Sequence, residues 1–187
     1  MRGTRASSAR TRRKSPARGD VATAAFGLFD ISIADRDLLR EGLEQAPADV
    51  RRDIEARAAR LMAELREQYP ELKDTLDGRT SGEIDDITDA LGAVECPVLG
   101  KEGECRLYAH RPLICRLSGV PIVDRSGAVI HPEGCAKCTL KPAETPRIDY
   151  ADLRKRERKL LKAIDSDQSG ATLLIPQAVE PTPRKSP

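Results

Sequence analysis

Apolar residues recur along this chain in several distinct periods, and each period predicts an element. The run F-G-L-F-D-I-S-I at residues 26–33 predicts a short strand or an extended docking segment. Behind it, Ser32 or Asp35 can cap a helix over about residues 34–46, with Leu38, Leu39 and Leu43 on its inner face. Pro47 suits the first turn of a second helix, which runs to about Tyr69 and stops at Pro70. Its apolar positions Val50, Ile54, Ala58, Leu61, Leu65 and Tyr69 advance by four, four, three, four and four. That spacing lays one stripe along a helix and leaves Arg51, Arg52, Arg57, Arg60 and Arg66 on or beside the wet face.

Residues 71–82 mix Gly, Thr, Ser and Asp and read as a loop after a short helical turn. Ile84, Ile87 and Leu91 then stand at helical spacing, and Gly92 closes that short helix. The segment V-P-I-V-D-R-S-G-A-V-I at residues 120–130 has two β-branched arms around Asp124-Arg125-Ser126-Gly127, a hairpin pattern. A last helix is expected from Asp149 to about Asp165, with Tyr150, Leu153, Leu160, Leu161 and Ile164 as its apolar side. The expected fold is therefore α-rich α+β: a small helical domain with short β-hairpins around a cysteine-rich metal site. Residues 1–24 read as a disordered basic arm, 25–165 as the cysteine-cluster domain and 166–187 as a disordered tail.

Composition sharpens this outline in two places. Hydrophobic residues make up 39% of the chain, enough for a core, but aromatic residues only 3%, so that core must be thin. Acids and bases nearly balance at a net +2, and the whole-chain field selects no partner. Charge is uneven only at residues 1–19, where Arg2, Arg5, Arg10, Arg12, Arg13, Lys14 and Arg18 meet no acid. An Arg- and Ser-rich leader of this kind is compatible with an organelle transit peptide. It is also compatible with a nucleic-acid arm. The absence of interleaved aromatics ranks a nucleic-acid partner low, and a disordered arm is the plainer reading. No stretch reaches the roughly 18 apolar residues of a membrane span, nor does the basic arm carry an apolar signal segment, so a soluble, cytoplasmic, reducing setting is expected.

All five cysteines fall between Cys96 and Cys138. Clustered thiols in such a setting favour zinc or iron over disulfides. Between Cys96 and Cys105, Gly100 and Gly103 bracket a four-residue turn, a hairpin whose base brings two thiolates together. Glycines there also let backbone N–H groups reach the sulfurs. Pro112 favours the first turn of a short helix carrying Cys115, with Arg111 and Arg116 beside it to offset thiolate charge; a structural salt link is the plainer role for Arg116. Cys135 and Cys138 form a C-x-x-C knuckle after the second hairpin, a common way to present two zinc ligands. A redox dithiol and a set of buried structural cysteines are the competing readings, and no βαβ pattern supports the first. His131 is a candidate ligand and His110 a weaker one, since a lone histidine is more often packed or exposed. Five thiols exceed the four ligands of a closed tetrahedral site, which leaves room for a spare thiol or a shared second ion.

Cys96, Pro97, Leu99, Gly103, Cys105, Tyr108, Arg111, Pro112, Cys115 and Arg116 together form a string that closely resembles the YkgJ-type cysteine-cluster family of bacterial proteins. That family is described as a zinc- or iron-chelating domain, and flagellin lysine N-methylases carry a related cluster. The resemblance spans about residues 26–140. It implies a metal ion as cofactor, with an iron–sulfur cluster as one form. The family's opening C-x-x-C-x-x-C-C block has no counterpart here, because residues 16–26 contain no cysteine. Loss of the block, a wrongly assigned start and a shifted upstream reading frame would each produce that gap. Genuine loss would leave Cys135 and Cys138 to complete a site with Cys96, Cys105 and Cys115. Three functions follow as expectations: a metal-binding protein with a structural or metal-handling site, a metal-dependent protein-modifying enzyme, or an interaction module using the basic arm. Neither a Gly-rich cofactor loop nor an acid/base constellation is visible for the second.

Overall fold

In the computed structural model, the residues described are 27–118, 120–123, 128–130, 147–164 and 170–181. Chain order runs from β1 (Asp30–Ser32) through α1 (Ile33–Gln45), α2 (Ala48–Gln68) and α3 (Ser81–Asp89) to a 3-10 turn at Tyr108–His110. There follow α4 (Leu113–Leu117), β2 (Ile122–Val123), β3 (Val129–Ile130), β4 (Ile148–Asp149), α5 (Tyr150–Ile164), β5 (Thr172–Leu174) and α6 (Ile175–Val179). The α-rich α+β class is the observed one, with the strands confined to two small sheets.

Local chemistry explains most of the helix boundaries. Ser32 caps α1: its Oγ accepts a hydrogen bond from the Asp35 N–H at 3.2 Å. Thr80 opens α3 with a capping box, its hydroxyl accepting from Glu83 N while the Glu83 carboxylate accepts from Thr80 N at 2.7 Å. Helix α3 thus begins three residues before the periodic apolar run, inside the segment expected to be loop. Gly92 sits past its end at φ +66°, where its N–H reaches Asp89 O at 3.0 Å.

Helix α2 keeps the expected stripe, with Ile54, Ala58 and Leu65 buried, and adds Met62, which the period skipped. Two of its arginines leave the solvent face they were assigned to. Arg66 makes a two-pronged ion pair with Glu180, at 2.6 and 2.9 Å, and Arg57 turns toward the cysteine region.

The largest departure from expectation lies in the segment read as tail. Strand β5 pairs antiparallel with β1, placing Leu173 opposite Ile31 and Leu174 opposite Asp30. Helix α6 follows directly and packs against both α1 and α2, with all five of its residues buried. Its buried Gln177 is satisfied at both ends, accepting from Leu174 N and donating to Lys73 O, each at 2.6 Å. The folded unit therefore extends past residue 165 to at least residue 179. Periodicity missed α6 because a five-residue helix buried all round has no polar face to set a period.

A second correction concerns α5, whose Leu160 is 67% exposed although it was placed on the apolar side; Leu161 alone of that pair is buried. The two arms of the segment 120–130 pair as expected, β2 with β3 antiparallel, and gain an unforeseen parallel neighbour in β4, while the turn at 124–127 lies outside the described residues. The arm at 1–24 lies outside the described residues.

Two apolar clusters fill the interior. One gathers Ile31, Leu39, Leu43, Ile54 and Ala58 with Val98, Leu107, Leu173 and Val179; the other gathers Leu28, Met62, Leu65, Leu76 and Ile87 with Leu174. Because Leu173 and Leu174 enter different clusters, β5 joins them. Leu174→Ala is expected to cost about 2–5 kcal/mol in urea denaturation, whereas Leu160→Ala on exposed α5 should change stability by less than about 0.5 kcal/mol. Equal effects would contradict the buried position of β5.

Candidate metal centre

The turn between Cys96 and Cys105 folds as its glycines direct. Leu99 and Cys105 face each other in an antiparallel bridge, Gly100 N donates to Glu104 O at 2.8 Å, and Arg106 N to Val98 O at 3.1 Å. Gly103 adopts φ +80°, a conformation that side chains disfavour, and a Cβ on Gly100 would collide with the Glu104 carboxylate. Gly103 is thus required by this turn, whereas the flexible Glu104 carboxylate can swing aside from a side chain at position 100.

Helix α2 clamps the turn from outside. Arg57 donates to the carbonyls of Leu99 and, at 3.3 Å, Cys96, while Arg106 donates to Pro97 O at 3.1 Å and pairs with Asp53 at 2.6 Å. Arg106 at its side holds the Asp53 carboxyl below the usual range. These positioning residues escaped the reading of the sequence. The available signal was Asp53 and Arg57 one helical turn apart, off the apolar stripe, where paired charges can face a neighbour.

Cys115 arrives on α4. Pro112 precedes that helix, and its first N–H, that of Leu113, donates to Asp35 Oδ1 at 2.9 Å. Asp35 is only 7% exposed, and its Oδ2 has no hydrogen-bond partner. Burial, then the neighbouring Glu157 carboxylate, pushes its pKa above the ordinary 3.8, against the lowering effect of the Leu113 and Ser32 contacts.

Cys96, Cys105 and Cys115 line one cavity of about 250 Å³, together with Val98, Tyr108 and Arg111. All three are free thiols packed on the larger core cluster. Burial pushes the Cys96 thiol up to about 11 and the Cys115 thiol to about 12; the Cys115 value is raised further by Cys96, Cys105 and Asp35. Cys105 is also raised by burial. Opposing this, the backbone N–H groups of Val98 and Leu99 lower the Cys96 value, and that of Leu107 lowers the Cys105 value.

Arg111 stacks its guanidinium 3.7 Å above the centre of the exposed Tyr108 ring and favours the thiolate forms of Cys105 and Cys115. Arg116 does not join it. That side chain is exposed and holds the backbone carbonyls of Ala109 and Arg111, at 2.7 and 2.8 Å, in place of the carboxylate salt link considered for it. His110 packs its ring over Gly42 of α1, so closely that a Cβ there would clash. Cys135, Cys138 and His131 lie outside the described residues.

The donor set suits a thiophilic ion in kind. Its spacing is more open than a closed site: among the described residues, no three His, Cys, Asp or Glu side chains are gathered tightly enough to hold a metal.

Two measurements follow. In the presence of a chelator, Cys96 and Cys115 should alkylate with iodoacetamide at pH 8 far more slowly than the same residues in urea, because the thiolate is the reactive form; peptide mass spectrometry reads each site. For Asp35, the folded pKa lies above the unfolded one, so the folded state binds the proton more tightly and stability falls as pH rises above about 3.8. Asp35→Asn keeps the cap and removes the buried charge, so its stability relative to the native chain should rise as pH increases above about 3.8 and level off once Asp35 is ionised in the folded state. Asp35→Ala removes the acceptor and should cost about 1 kcal/mol through the lost cap. Compared with known proteins, the chain matches no family model, no curated protein and no solved structure, and the centre is argued from its own residues alone.

Proposed function

We propose that this chain binds a zinc or iron ion through Cys96, Cys105 and Cys115, as a cysteine-cluster protein of the YkgJ type with a structural or metal-handling site. The observation that supports it best is the meeting of three free thiols on one cavity, with the pKa of two of them lowered by nearby backbone N–H groups against the effect of burial. Main-chain donors aimed at sulfur favour the thiolate, which is the ligand form. Cys135 and Cys138, with His131 as a further candidate, would supply the remaining donors.

Within this reading each neighbour has a task. Asp35 starts α4 and so orients Cys115. Arg57 and the Asp53–Arg106 pair fix the turn that carries Cys96 and Cys105. Arg111 offsets the negative charge that several thiolates bring to one divalent ion. A bound ion supplies the positive charge that lets the buried thiols ionise together, and the protons leave to solvent.

Purification without oxygen, followed by metal counting and a visible spectrum, tests the proposal. The expected result is about one metal per chain, lost together with thermal stability in Cys105→Ser and Cys115→Ser, because binding energy at such sites is also folding energy. Zinc uptake at pH 7.5 should release about one proton per coordinating thiol, read in weakly buffered solution. A folded, metal-free protein that takes up neither zinc nor iron under reducing conditions would refute it.

A further inference from the structure

Helix α5 concentrates a charge that the whole-chain balance conceals. It carries six basic residues and two acids, and the structure separates them by role. Glu157 is turned inward, accepting from Ser32 Oγ at 2.5 Å and pairing with Arg154 at 2.7 Å. Arg154 also approaches Asp30, at 3.9 Å. Asp152 is taken up by Arg156, at 2.7 Å. Lys155, Arg158, Lys159 and Lys162 remain, all exposed and without an ion pair among the described residues. At helical spacing these four share one face, and from residue 155 to 162 that face spans about 10 Å of axis.

The stripe does not follow from general basicity. Residues 1–19 hold seven of the chain's 32 bases and none of its 30 acids, so residues 20–187 carry 25 bases against 30 acids, a net of −5. A uniformly basic body would attract a polyanion in any orientation. An acidic body with one uncompensated basic face admits it on that face only.

We infer that the Lys155–Lys162 face of α5 binds the phosphate backbone of a double-stranded nucleic acid, independently of base sequence. About 10 Å of axis matches roughly three phosphates per strand at 3.4 Å each. A membrane surface is the other polyanion to weigh, and the helix is poorly made for it. Interfacial helices bury a broad apolar face in lipid. Here Leu161 is buried against the body, Tyr150 and Leu153 are half-buried, and Leu160 is the one large apolar side chain exposed among the described ones of this helix. No base-reading motif accompanies the stripe, so the contact is to backbone alone.

Fluorescence anisotropy of the full, metal-replete chain with a 20-base-pair DNA duplex of arbitrary sequence, from 50 to 200 mM KCl, tests this. Four cations contribute about −3.6 to the expected slope of log K against log salt, roughly a 150-fold loss of affinity over that range. Replacing Lys155, Lys159 and Lys162 together by Gln should make the slope shallower by about 2.7, with circular dichroism unchanged. A full-length variant with the seven basic residues of 1–19 changed to Gln should retain the α5-dependent part of the slope. The inference is overturned by absence of duplex binding, by salt-insensitive binding, or by binding that the α5 triple variant leaves intact. Binding to phosphatidylserine vesicles in place of the duplex overturns it as well.

Discussion

The pairing of β1 with β5 is the constraint on which the rest of the structure depends. Ile31 against Leu173 places the next residues, Ile175–Val179, between α1 and α2, where Ala178 and Val179 complete the core cluster that receives the three thiols. Leu174, on the other side of the same strand, completes the second cluster with Met62, Leu65 and Ile87. The Arg66–Glu180 pair then fastens the outer end of α6 to α2. Without the strand, α1 and α2 would present facing apolar stripes with nothing between them.

The candidate centre hangs on this frame at three points, each a polar contact to a backbone group. Arg57 and Arg106 hold carbonyls of the turn that bears Cys96 and Cys105. Asp35 holds the first amide of the helix that bears Cys115. The same corner of α1 reaches α5, because the Ser32 hydroxyl that accepts from Asp35 N also donates to Glu157. One capping residue thereby serves a helix start and a helix–helix tether. The remaining Asp35 oxygen stays unpartnered, which is costly unless the carboxyl is neutral or something approaches it.

How much of this could be read from the sequence follows the reach of each signal. Local signals carried well: Ser32 as cap, the Val50–Tyr69 stripe, the glycine-bracketed turn and the short helix after Pro112 all rest on contacts within a few residues. What failed was long-range. Residues 171–179 are mostly apolar, but Gly170, Pro176 and the later prolines give the segment the look of a tail, and the partners that make it core sit more than a hundred residues earlier. Arg57 and Arg66 looked like solvent-facing charges because a helical wheel distinguishes apolar from polar but not solvated from clamped. Leu160 failed the other way: two adjacent leucines cannot both face inward, and the period alone does not choose between them. At the centre, residue types and turn chemistry were legible, whereas the Asp35 contact to Leu113, across 78 positions, was not.

The distance along the chain between β1 and β5 has a consequence for synthesis. A nascent chain emerging N-terminus first exposes Cys96, Cys105 and Cys115 to solvent well before residues 171–179 exist to close the core beneath them. High contact order of this kind makes folding slow, and during that interval the thiols lack the burial that later suppresses their reactivity. The vulnerable period for oxidation or capture by the wrong ion is therefore the ribosome-bound one, and the late strand acts as the lock that ends it.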